Sequence, residues 1–221
     1  MKHTTPSDIE RTSMEIISAE LEARGIDPPP ENAPIVRRVI HATADFDYAR
    51  SLTFTPCAVE RFTALLKTGI PIVTDTNMAK AGISSAALSR WGNEVFCFMS
   101  DPETARAAAD GKTTRAAVSM QLAARRFPNA LFVIGNAPTA LMALSALAAQ
   151  GYRPAGIVGV PVGFVNVVES KEETLKLCQS LEIPGIFAMG RKGGSTVAAA
   201  ICNALLYTAS DMLDPSRRGW H

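Results

Sequence analysis

The chain has 221 residues, 47 % of them hydrophobic, which is enough for a sizeable core in one large domain. Its net charge of +1 provides no bulk field to draw nucleic acid or an acidic membrane surface. Cys57, Cys97, Cys178 and Cys202 follow neither metal-ligand nor disulfide spacing, residues 1–6 lack the apolar core of a secretory signal, and no apolar run nears the roughly 18–20 residues of a membrane span, so the reading is a cytoplasmic protein.

Thr5 can cap a helix whose first turn accepts Pro6 and whose Asp8 suits the positive end of the dipole. Ile9, Met14, Ile16, Ile17 and Leu21 form its apolar positions as far as Arg24, and Gly25 stops it. Pro28-Pro29-Pro30 is a stiff connector. The spacing of Val36, Val39 and Ile40 predicts a second helix over 32–41. Strands are then predicted at 52–55, 71–75, 94–98, 131–134, 156–160 and 183–189. Helices are predicted over 57–67, closed by Gly69, over 113–127, from Pro138 to Gln150, over 171–181 and over 193–212. Residues 77–83 read as irregular or helical, 84–88 as a capped helical turn, and Asp101-Pro102-Glu103 as another helix start.

The strands are short, near-continuous apolar runs separated by helices, which argues a mainly parallel sheet covered on both faces. Five or six strands suit an open α/β sheet in three layers rather than an eight-stranded barrel. In such sheets ligands bind beyond the carboxyl ends of the strands, which directs attention to 74–77, 135–139, 161–164 and 190–195. Gly193-Gly194-Ser195 after Arg191-Lys192 could leave backbone N–H groups free for an anion. Neither a G-x-x-x-x-G-K-[ST] loop nor a G-x-G-x-x-G turn is present, so a standard nucleotide site is not indicated.

His3 and His221 lie at the ends, which leaves His41 as the one histidine inside the chain body. Arg38 is three residues before it, on the same side of the helix. Nearby cations push a histidine toward its neutral form, and such a group exchanges protons near neutral pH. A purely structural histidine at a helix end is the competing reading. Arg115 stands in the first turn of the helix over 113–127, where a cation opposes the dipole. Asp45, Asp47 and Asp75 have too few companion ligands to read as a metal site. Loop cations, one histidine and many apolar residues suit a large ligand with an apolar middle and many carboxylates.

Four stretches carry a resemblance: R-V-I-H-A-T-A-D-F-D-Y at 38–48, V-I-G-N-A-P-T-A-L at 133–141, G-V-P-V-G-F-V at 159–165 with E-S-K at 169–171, and R-K-G-G-S-T-V-A-A-A at 191–200. Together they resemble the precorrin-8X methylmutase family over about 8–212. Asn166 and Val167 depart from the small residues of the pattern. The resemblance implies a flavodoxin-like three-layer fold, one domain over 1–221 with helices 5–41 on its α/β body, and a homodimer with the active site near the interface. Phe46 and Tyr48 are aromatic residues in a loop beside the proposed site, which suits a homodimer whose interface helps to shape the pocket. It implies an isomerase that moves a methyl group between adjacent carbons of one pyrrole ring of a tetrapyrrole, formally a sigmatropic shift, to a hydrogenobyrinate-type product. No cofactor or protein-bound metal is implied, and any cobalt belongs to the substrate. By the same matching His41 is the catalytic residue, and Ser13, Arg38, Ser84 and Arg115 bind the pigment. If His41 alone carries the proton, replacing Arg38 or Arg115 should leave the pH profile of turnover nearly unmoved. A phosphate-binding α/β enzyme using Gly193-Gly194, and a tetrapyrrole carrier without catalysis, are the alternatives.

Overall fold

The structure is a computed structural model that describes residues 5–218. Helix α1 (Pro6–Ala23) starts as its sequence dictates, with Thr5 Oγ1 accepting from the Asp8 N–H at 3.4 Å. Helix α2 (Ala33–Thr43) follows the triproline and is followed by a single turn, α3 (Tyr48–Ser51). The remaining elements alternate: β1 (Leu52–Phe54), α4 (Ala58–Leu66), β2 (Ile72–Thr74), α5 (Asn77–Gly82), α6 (Ser85–Ser89), β3 (Val95–Phe96), α7 (Pro102–Asp110), α8 (Arg115–Arg126), β4 (Leu131–Ile134), α9 (Pro138–Ala149), β5 (Gly156–Gly159), α10 (Val167–Ser180), β6 (Gly185–Ala188) and α11 (Ser195–Ala209). A 3-10 turn, Pro215–Arg218, ends the described chain.

The strands form one sheet in the order β1-β6-β5-β4-β2-β3. All neighbours are parallel except β1, which pairs antiparallel with β6 through Leu52 with Ala188 and Phe54 with Ile186. Successive strand residues point to opposite faces. Ile72, Leu131, Val133, Val158 and Ile186 therefore join one core with α1, α2, α4, α5, α6 and α11. Val73, Phe132, Ile134, Ile157 and Phe187 join another with α8, α9 and α10. The three-layer α/β/α expectation holds. Among the described residues no helix is long and apolar enough to cross a membrane.

Several boundaries move. The run at 94–98 pairs only over Val95–Phe96, because β3 is an edge strand. Beyond it Phe98 leaves the ladder, its ring stacked with that of Phe96, while Phe127 tilts against both. Helix α10 starts four residues earlier than expected, just after Asn166 in the left-handed region. Asp101 precedes α7 without giving it a side-chain cap. Tyr48 is buried in the core, and Phe46 is half-buried with the Arg24 guanidinium over its ring at 4.2 Å.

Candidate active site

His41 lies in the last turn of α2. Ala44 then turns the chain in the left-handed region, its N–H donating to the Ile40 carbonyl at 2.7 Å. This end of the helix, with α5 and α11, encloses a cavity of about 320 Å³ lined by Arg38, His41, Met78, Ser195, Thr196 and Asn203. Ser195 opens α11, and no side chain caps that terminus, so its partial positive charge is available to an anionic ligand group. A larger cavity of about 520 Å³ lies between α1 and α2 and holds Glu22, Asp27 and Arg37 but no histidine.

The His41 imidazole has no hydrogen-bond partner among the described residues, so its N–H and its lone pair are both available. Desolvation of the ring lowers its pKa from 6.5, and the Arg38 charge lowers it further. The sequence expectation was right in direction, but burial leads and the cation comes second. Behind Arg38 lies a charged cluster. Arg38 and Arg218 both donate to the same oxygen of Glu10, Arg218 at 2.6 Å. Both guanidiniums also lie over the Tyr207 ring, Arg218 at 4.0 Å and Arg38 at 5.3 Å. Burial works to raise the Glu10 pKa, and the two guanidiniums outweigh it and hold the carboxyl below its usual range. The two guanidiniums share the Glu10 carboxylate, and Arg38 brings its charge to the wall of the cavity.

The other matched residues are spread out. Ser13 is half-buried on α1, its hydroxyl donating to the Ile9 carbonyl at 2.8 Å, and it does not line the His41 cavity. Ser84 caps α6 with its hydroxyl, and its N–H donates to Asn203 Oδ1 at 2.8 Å, which places it one residue behind the cavity wall. Arg115 is exposed at the start of α8, on the opposite face of the sheet from α2. Thr114 donates to Thr139 at 2.8 Å, which puts that start beside the beginning of α9, at the carboxyl end of the sheet. One chain thus joins Arg38 and His41, sets Ser84 close by, and leaves Ser13 and Arg115 apart.

The aspartates are spoken for. Asp75 fills the crevice at the topological switch between β2 and β4, where it accepts the N–H groups of Gly135, Asn136 and Ala137 at 2.7–2.8 Å. Asp45 and Asp47 bind Lys192 Nζ at 2.7 and 2.6 Å. No group of three His, Cys, Asp or Glu side chains could hold a metal among the described residues. The Gly193-Gly194 loop is committed as well. A Cβ on Gly193 would collide with the Val160 carbonyl oxygen, and the Gly194 N–H donates to that oxygen at 2.9 Å. Buried Lys171 donates to the Gly190 and Lys192 carbonyls at 2.8 Å each, and burial lowers its pKa to about 8. These glycines therefore serve close packing of two loops, which removes donors from the phosphate alternative. Glu10 was missed in the sequence, although it shares the buried face with Ile17 and Leu21 at i, i+7 and i+11. A carboxylate in a core stripe was the signal available.

The profile of the precorrin-8X methylmutase family matches residues 8–208. The chain is 44 % identical over 208 residues to the cobalt-precorrin-8 methylmutase of Leptospira interrogans, covering 92 % of this chain and 94 % of that protein. It is also 44 % identical over 206 residues to the cobalt-precorrin-8 methylmutase of Salmonella typhimurium, with 91 % and 95 % covered. Its fold superposes on the crystal structure of the precorrin-8X methyl mutase of Thermus thermophilus with a TM-score of 0.82, at 36 % identity and covering 92 % of this chain and 98 % of that one. With fold, motifs and relatives in agreement, the chain belongs to the precorrin-8X methylmutase family, isomerases of cobalamin biosynthesis.

Proposed function

We propose that this chain moves a methyl group between adjacent carbons of one pyrrole ring of precorrin-8X, or of its cobalt form, to give hydrogenobyrinate or cobyrinate. One carbon–methyl bond breaks and one forms, so no oxidant, reductant or cofactor is needed. His41 gives a proton to a ring nitrogen, or hydrogen-bonds to it, which makes the ring a better acceptor of the migrating group. An imidazolium held below its ordinary pKa is a stronger acid, which suits that donation. The observation that carries the reading is the unpartnered imidazole of His41 beside positive charge at the cavity wall. Arg38 supplies part of that charge to the acetate and propionate groups, and Ser13, Ser84 and Arg115 bind the rest of the pigment.

The working form we propose is a homodimer of single-domain chains. Ile9, Ser13 and Ile16 lie on one face of α1 at i, i+4 and i+7, and the two isoleucines are 49 % and 59 % exposed. A second copy on that face would cover them and bring Ser13 to a pigment bound by its partner. All four cysteines are free, which fits a reducing cytoplasm.

The test is conversion of precorrin-8X and of its cobalt form by the wild type and by His41→Ala, followed by visible absorbance. The variant should bind the pigment and fail to isomerise it. Near wild-type turnover by the variant would end the assignment of His41. Binding without turnover by the wild type would leave a carrier. Sedimentation of an active monomer at micromolar concentration would refute the dimer.

A further inference from the structure

The geometry points to a second half of the pigment site, built by Phe164 on the loop after β5 and Arg191 on the loop after β6. This rests on the reading of the His41 cavity as a tetrapyrrole site. That cavity, about 320 Å³, is at the low end of the roughly 300–1,000 Å³ that drug-sized ligands occupy, and a tetrapyrrole with its carboxylate arms is larger than those. Most of the pigment must therefore lie outside it.

The loops beyond β5 and β6 hold what such a ligand would meet. Phe164 is 83 % exposed and Val165 76 %, and Val162 stands beside them, an apolar patch at the carboxyl end of the sheet. The Arg191 guanidinium lies over the Phe164 ring at 5.5 Å. It has no carboxylate partner among the described residues, unlike its neighbour Lys192. An apolar face beside an unpaired guanidinium is the complement of an apolar macrocycle edged with carboxylates.

The two loops are held as one body, and that body reaches the cavity. The Gly163 N–H donates to the Arg191 carbonyl at 3.2 Å, and the Gly194 N–H donates to Val160. Lys171 clamps the Gly190 and Lys192 carbonyls from below. Lys192 ties the loop to Asp45 and Asp47, just past the end of α2, and Ser195 and Thr196 continue into the cavity wall. Phe164 and Arg191 are thus carried on linked loops that run on into the wall of the His41 cavity. They bind and orient the pigment and take no part in proton transfer.

The experiment is titration with cobyrinic acid, a corrin heptacarboxylate, and with its uncharged heptamethyl ester, using wild type, Phe164→Ala, Arg191→Met and His41→Ala. Phe164→Ala should weaken both ligands about tenfold, with an unchanged thermal midpoint because the ring is exposed. Arg191→Met should weaken the acid about tenfold and the ester hardly at all. His41→Ala should still bind both ligands. Wild-type affinity in Phe164→Ala, or equal loss of acid and ester in Arg191→Met, would overturn the inference while leaving the His41 site standing. A Phe164→Ala protein that sediments as a smaller species would assign the patch to contact between copies and overturn it as well. A wild type that binds neither corrin would remove the reading on which it rests.

Discussion

Two polar centres at the carboxyl end of the sheet have opposite fates. Asp75 stands where open α/β sheets usually receive their ligand, and three backbone N–H groups converge on it. Those donors are consumed by the chain's own buried carboxylate. His41 stands off the sheet, at the end of a helix, with an imidazole that nothing in the described chain satisfies. The contrast teaches that position in a fold does not mark a site; unspent hydrogen-bonding capacity at a cavity does. Asp75 is structural because its needs are met, and the unmet needs of His41 are what support the chemical role proposed for it.

Breaking the two centres in parallel should separate the roles. His41→Ala should lower turnover about 10²- to 10⁴-fold, the usual worth of a positioned general acid, with little change in thermal midpoint. Asp75→Asn should do the reverse. An amide offers one acceptor oxygen to three N–H groups and points its own N–H₂ at the rest. Leaving buried groups unmet costs about 1–3 kcal/mol each, so about 3 kcal/mol overall, or a midpoint lowered by about 6–12 °C in calorimetry. Comparable loss of stability in both variants would erase the distinction.

Arg38→Met sharpens the contrast from the side of His41. Glu10 keeps Arg218, so the loss should be nearer 2 kcal/mol than the 3–5 kcal/mol of an abandoned buried charge. The revealing readout is pH. Arg38 holds the His41 proton off, so without it the histidine titrates higher, and the alkaline limb of the turnover profile moves up. This corrects the expectation that the profile is indifferent to Arg38. The same shift appears in stability. Unfolded His41 takes its proton near pH 6.5 and folded His41 only below that, so this part of the stability is present above 6.5 and fades as pH falls. In Arg38→Met that acid loss should shrink. Arg115→Ala is the smallest test, about a tenfold weaker pigment affinity with an unmoved pH profile. It faces no part of the His41 cluster, so an altered profile would mean that a partner copy brings the two together.

The helix starts were legible because their causes are local: Thr5, Pro6 and Asp8 lie within four residues of each other. The strands at 131–134 and 156–160 were legible because strands buried on both faces need unbroken apolar runs. His41 was legible because it has no rival inside the chain and lies in a recognisable motif. The Glu10–Arg38–Arg218 cluster was not, since its two ion pairs join residues 28 and 208 positions apart. The antiparallel turn of β1 was hidden for a like reason: three residues carry too little pattern to declare a partner or a direction. The apolar residues of α1 were read as one face, although Ile9 and Ile16 are exposed; periodicity finds a stripe and says nothing of what covers it.

The edge pairing of β1 also sets the order in which the molecule can come into being. Thr55 binds Gly185 across 130 residues, α2 packs on α11, and Glu10 waits for Arg218. At about 5–20 residues per second, a ribosome needs on the order of ten seconds or more to supply those partners. During that interval the segment that bears His41 has no wall to lean on. The middle of the chain, β2 to β5 with α7 to α9, can assemble from neighbours already made. The segment that bears His41 is translated first and finished last, so a nascent chain cut short of α11 carries the histidine but never the cavity.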